Sequence, residues 1–140
     1  MFAHYLLDLI MDTFHTIDNI NFLTAFVFSD RFGPYFVSPI VAGLDKVGDN
    51  EWEPVVCTYD SIGCPDKGGH FQVAGTGSEL LYGVAETFFK PDMNPEELYE
   101  TVSNCLLSAL DRDSLSGWGA YIYILTPDDM IVRALKTRQD

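Results

Sequence analysis

The sequence has 140 residues, 47% of them hydrophobic and 14% aromatic, which suits one folded domain and excludes a disordered chain. Twenty-one acidic residues against eight basic ones leave a net charge of -13, which repels phosphate backbones and anionic lipid headgroups and argues against nucleic acid and membrane surfaces as partners. Three cysteines, Cys57, Cys64 and Cys105, with no C-x-x-C pair, exclude a disulfide framework and a thiolate zinc site.

From Tyr5 to Ile17 the residues Leu7, Ile10, Phe14 and Ile17 recur at helical spacing, with Asp8 and Asp12 on the other side. Asp8, Asp12, Asp18 and Asp30 interrupt the most apolar region, so no run reaches the ~20 residues of a membrane span. Met1 to Met11 lacks the basic start and small-residue cleavage site of a secretory signal, which points to cytoplasm or nucleus. Asp18-Asn19-Ile20-Asn21 is expected to break the first helix, and Phe22–Phe28 to form a second. After the Gly33-Pro34 punctuation, Phe36–Leu44 reads as a strand, hairpinned through Gly48-Asp49-Asn50 to a second strand over Pro54–Tyr59. A glycine-rich connection leads to a short strand at Phe71–Ala74.

The period then changes. Leu80, Leu81, Val84, Ala85, Phe88 and Phe89 predict a helix over Glu79–Phe89 buried on one broad face. A second helix starts with Asn94 as N-cap, Pro95 at the first helical position and Glu97 placed to complete a capping box; Leu98, Val102, Cys105, Leu106 and Ala109 form its apolar face. Gly119–Leu125 and Met130–Leu135 flank the turn Thr126-Pro127-Asp128-Asp129 as a hairpin. Helices and antiparallel strands segregated in this way indicate an α+β layered domain.

Gly75-Thr76-Gly77-Ser78 leads into a helix, but the third glycine of a dinucleotide fingerprint is replaced by Leu80 and the P-loop lysine is missing, so a tight turn is the expected role. Asp111-Arg112-Asp113-Ser114-Leu115-Ser116-Gly117 is the densest polar group, at a helix-to-strand boundary where such residues commonly satisfy free backbone groups.

Several segments together carry a resemblance. Arg31-Phe32-Gly33-Pro34-Tyr35, Pro39-Ile40-Val41-Ala42-Gly43-Leu44, Asp60-Ser61-Ile62-Gly63-Cys64, Gly75-Thr76-Gly77-Ser78, Leu81-Tyr82-Gly83 and Asp111-Arg112-Asp113 with Ser116-Gly117 resemble, in this order, the proteasome beta subunits, and a non-catalytic branch of them in particular. The likeness extends to the ending Leu135–Asp140 and covers residues 28–140 as the C-terminal portion of a beta-type domain; residues 1–27 stand apart as an atypical, partly helical segment.

The resemblance implies a four-layer αββα sandwich of the N-terminal nucleophile hydrolase type, here incomplete. Active relatives use an N-terminal threonine nucleophile with a lysine and an aspartate from early strands, whereas this sequence opens Met1-Phe2-Ala3 and has its first threonine at Thr13. A non-catalytic subunit is therefore expected, with alpha and beta subunits as partners, no cofactor, and a role in ATP- and ubiquitin-dependent protein degradation. By similarity, Asp60 and Cys64 form a wall of a neighbouring catalytic subunit's substrate pocket, where Asp60 favours basic side chains; the competing role for Asp60 is a turn cap. Thr76, Asp113 and Ser116 are expected remnants of the support around the family's nucleophile. Asp140 is a candidate donor to a structural magnesium ion. Two other outcomes remain open in the sequence, a truncated product that does not assemble and an active threonine-type amidohydrolase.

Overall fold

The computed structural model describes residues 16–140. Of the helix expected over Tyr5–Ile17, the part before Thr16 lies outside the described residues. The first compact unit closes at Gln72 and the second is Val73–Asp140.

Helix α1, Thr16–Ser29, runs straight through the Asp18–Asn21 segment expected to break it. Ile20, Thr24 and Val27 stand at i, i+4 and i+7; Ile20 and Val27 are buried and Thr24 partly so. Ile20 enters the core with Val41, Cys57 and Tyr59. Burying such a side chain stabilises by ~1.5–3 kcal/mol. Asp and Asn cost at most ~0.7 kcal/mol each in a helix. Packing therefore overrides local propensity.

Helix α1 packs against a sheet in the order β1-β2-β3, formed by β1 (Ile40–Lys46), β2 (Trp52–Tyr59) and the two-residue β3 (Pro65–Asp66). Val41 pairs with Cys57 and Gly43 with Val55, so Val41, Val55, Cys57 and Tyr59 share the face turned to the helix. The first strand starts at Ile40, not at Phe36 as expected. Phe36 has φ +51°, outside the extended range, and Pro39 has no N–H to give a ladder; its carbonyl instead accepts from Tyr59 N at 3.1 Å. The strand expected at Phe71–Ala74 is also absent. Gln72 is tied by its side chain instead, accepting from Thr58 Oγ1 at 3.2 Å and donating to the Gly68 carbonyl.

In the second unit, helices α2 (Ser78–Phe88) and α3 (Pro95–Leu110) pack together and are followed by strands β4 (Ala120–Leu125) and β5 (Met130–Leu135). The capping box of α3 is present: Glu97 N donates to Asn94 Oδ1 at 2.9 Å and Asn94 N to Glu97 Oε2 at 3.3 Å. Cys105 and Ala109 are buried, but Leu98 and Val102 are not, and the broad buried face expected of α2 is not found: none of its residues is buried. Ser103, not singled out by its hydrophobicity, is buried and donates to the Tyr99 carbonyl at 2.6 Å.

The β4–β5 hairpin closes as expected, with Thr126 N donating to Asp129 O at 2.9 Å. Its register pairs Tyr121 with Ala134, Tyr123 with Val132 and Leu125 with Met130, which puts these six apolar residues on one face. All six are exposed, Tyr121 by 65% and Tyr123 by 55%. On the other face Ile122 is buried, and the Arg133 guanidinium lies 4.6 Å from the Tyr99 ring of α3. Every strand pairing described is antiparallel, and the mixture of helix and antiparallel strand is the α+β content read from the sequence. No described helix is long and apolar enough to cross a membrane.

Candidate functional site

Three residues from two turns meet in the second unit. The 75–77 turn before α2 is set by Gly75, whose φ of +99° favours glycine, and by the Ser78 N to Gly75 O bond at 3.2 Å. This brings Thr76 to the loop after α3, where its hydroxyl donates to Asp113 Oδ2 at 2.5 Å and lies 3.1 Å from Ser116 Oγ. Ser116 also donates to Asp113 Oδ2, at 2.8 Å, and Leu115 N donates to Oδ1 at 3.1 Å. Thr76 thus forms one hydrogen-bonded group with Asp113 and Ser116, which lie 37 and 40 residues further along the sequence. The Thr76 hydroxyl, then that of Ser116, then the Leu115 amide hold the Asp113 carboxyl below its ordinary pKa. A carboxylate stabilised in this way is a weak base and keeps its three donors occupied.

A depressed carboxyl pKa contributes stability that is present above the unfolded-state value and lost as pH falls through the folded-state value. Thr76→Val removes the leading donor, so the Asp113 carboxyl should titrate at higher pH than in the parent chain, and its contribution to stability should be smaller and be fully lost at a higher pH. Carbon-13 NMR titration of the Asp113 carboxyl reads this directly; an unmoved midpoint would mean that Thr76 does not hold it.

The Asp60–Cys64 turn belongs to the first unit and ends β2. Asp60 Oδ1 accepts from Ile62 N at 3.1 Å and from Cys64 N at 2.8 Å, while Asp60 N donates to Cys64 O at 3.3 Å. Asp60 is therefore a turn cap, the competing role weighed from the sequence. The cap occupies Oδ1, and the residue as a whole stays exposed, as does Cys64.

Two residues to which the sequence assigned no anchoring role fix this turn. Tyr59 is buried and donates its hydroxyl to the Ile20 carbonyl of α1 at 2.7 Å; burial pushes its phenol up to about 12, which keeps it a neutral donor. The alternation Val55, Cys57, Tyr59 was the available signal. Gly63 has φ +88° and sits against α1, where a Cβ would fall 2.9 Å from Phe28 N.

Beside the Asp113 group, an open cleft of about 490 Å³ is lined by the 113–118 loop, the end of α3 and Thr137, Arg138 and Asp140. Trp118 adopts φ +62° between Gly117 and Gly119 and is 80% exposed at this cleft. Its two flanking glycines were the sequence signal. Asp140 Oδ1 pairs with Arg138 Nε at 2.9 Å, and both side chains are exposed. Among the described residues no three acidic, histidine or cysteine side chains gather to hold a metal.

A family model described as "Proteasome subunit" matches residues 17–125, a span that runs from α1 through β4. The chain belongs to the proteasome subunit family. It is 50% identical over 118 residues to proteasome subunit beta type-3 of Picea mariana, a match covering 84% of this chain and 56% of that one. It is 48% identical over 118 residues to the Drosophila melanogaster protein of the same name, with the same coverage, and 46% identical over 114 residues to that of Saccharomyces cerevisiae, covering 81% and 54%. The chain thus spans a little over half the length of these relatives, consistent with a C-terminal portion of such a proteasome subunit.

Proposed function

We propose that this chain serves as a non-catalytic structural subunit of the proteasome core particle, placed in a beta ring among alpha and beta subunits, in cytoplasm and nucleus, and contributing to ATP- and ubiquitin-dependent protein degradation. The observation that carries the reading is the exposed apolar face of Tyr121, Tyr123, Leu125, Met130, Val132 and Ala134 on the hairpin. A sheet face of this composition needs a layer packed on it. In this reading the face is an inner surface of a four-layer αββα sandwich, covered once the particle is complete. The family membership and the beta type-3 names of the relatives support the same assignment. The Asp113 group fits a supporting role, because its hydroxyls are bound to a carboxylate of low basicity. The reading requires no cofactor held by the chain itself.

The same uncovered face also favours a second reading, a product that fails to assemble and aggregates. Peptide mapping by mass spectrometry of purified core particles separates the two. Peptides from residues 28–140 in the particle support the subunit role, and their absence favours the second reading.

Within the first reading, Asp60 and Cys64 line a neighbouring catalytic subunit's substrate pocket, where the Asp60 carboxylate favours Lys or Arg over acidic side chains. A solvent-accessible charge pair contributes ~0.2–1 kcal/mol. Asp60→Asn in assembled particles should therefore lower kcat/KM for cleavage after basic residues by up to about fivefold, with assembly and cleavage after apolar residues unaltered. Equal kcat/KM for basic substrates in variant and parent particles would rule out the pocket role.

A further inference from the structure

The Asp60–Cys64 turn is fastened to helix α1 at two points. Immediately before it, the Tyr59 hydroxyl crosses 39 residues of sequence to the Ile20 carbonyl at 2.7 Å, in a buried setting. That carbonyl also accepts from Thr24 Oγ1 at 2.8 Å, which fixes its orientation. Within the turn, Gly63 is buried against the backbone of Thr24 and Phe28. Between the two anchors, the Asp60 Oδ1 bonds to Ile62 N and Cys64 N lock the loop internally. The result is an exposed carboxylate on a turn whose position is set by α1.

We infer that Tyr59 is a positioning residue for Asp60, holding the turn on α1 so that its carboxylate is presented in one fixed place. Preorganisation of this kind removes the ordering cost that a mobile loop would incur on meeting a ligand. The inference rests on the reading of Asp60 as a pocket-wall residue only for its consequence in catalysis; the positioning itself is a property of this unit. A tyrosine used only as core filling would be replaced by phenylalanine with no consequence for the turn, because the ring is kept and the hydroxyl alone is lost.

The test compares assembled particles carrying Tyr59→Phe, Asp60→Asn and both together. Amide hydrogen exchange at Ile62 and Cys64 reports the turn, and kcat and KM for peptides with basic or apolar residues before the scissile bond report its use. Tyr59→Phe should speed exchange at Ile62 and Cys64 and raise KM for basic peptides by up to about fivefold. It should leave kcat and the apolar peptides unchanged. In the Asp60→Asn background it should have no additional effect on KM, since its influence passes through that carboxylate. Unchanged exchange in Tyr59→Phe particles overturns the inference whatever the kinetics. Faster exchange with unchanged KM, where Asp60→Asn does raise KM, overturns the transmission to the pocket. If Asp60→Asn itself has no effect, the pocket reading fails, and the exchange rates alone decide the positioning.

Discussion

Gly63→Ala should destabilise the chain by about 2–5 kcal/mol, the sum of two costs at one atom. Gly63 has φ +88°, and a left-handed backbone costs an L-residue ~1–2 kcal/mol. The added Cβ would lie 2.9 Å from Phe28 N, 3.3 Å from Phe28 Cα and 3.3 Å from the Thr24 carbonyl oxygen. All three are main-chain atoms of α1 and cannot swing aside as a side-chain tip would, so overpacking adds ~1–3 kcal/mol. Urea unfolding followed by circular dichroism measures the loss. Gly83→Ala gives the opposite sign: Gly83 lies inside α2, its Cβ would meet nothing within 4 Å, and alanine there gains ~0.5–1 kcal/mol of helix propensity. A Gly63→Ala chain as stable as the parent would show that α1 is not seated on the turn, and the fixed placement of Asp60 would fall with it.

Local chemistry in the sequence was sufficient wherever an element is decided by its own residues. Asn94, Pro95 and Glu97 announce the start of α3 because a capping box is satisfied within four residues. Thr126 and Asp129 likewise close the β4–β5 turn between themselves. Reading failed where a distant partner decides. Ile20 keeps Asp18–Asn21 helical only because Val41, Cys57 and Tyr59 lie beneath it. Phe71–Ala74 has strand composition, yet Gln72 is held by its side chain to Thr58 and Gly68. The site shows the same division. That Asp60 caps a turn was legible from its composition, but the anchorage of that turn by Tyr59 and Gly63 required knowing that α1 lies against it. Thr76, Asp113 and Ser116 were picked out through resemblance; spacing gave no sign that their hydroxyls and carboxylate bond to one another. The amphipathic pattern of α2 correctly located a helix but overstated its burial, because periodicity reports which face seeks cover and not whether this chain supplies it.

Placing lysine at both Tyr121 and Tyr123 should abolish incorporation into core particles while making the free chain more soluble. In the free chain these rings, with Leu125, Met130, Val132 and Ala134, form a continuous apolar face that favours self-association. Two ammonium groups on that face oppose such contacts, so light scattering should show the variant monodisperse at concentrations where the parent aggregates. In an assembled sandwich the same groups would be buried opposite another sheet, at a desolvation cost of several kcal/mol per charge, on the order of a thousandfold or more in incorporation for the pair. Asp128→Lys provides the control. It changes the net charge by the same two units within the Thr126–Asp129 turn, away from the apolar face, and should enter particles normally. The comparison separates charge from location: if the double lysine variant is incorporated as well as Asp128→Lys, the hairpin face stays open to water in the particle and the sandwich reading is wrong. If only the double variant is excluded, the exposure of this face in the isolated chain marks the surface on which its assembly depends.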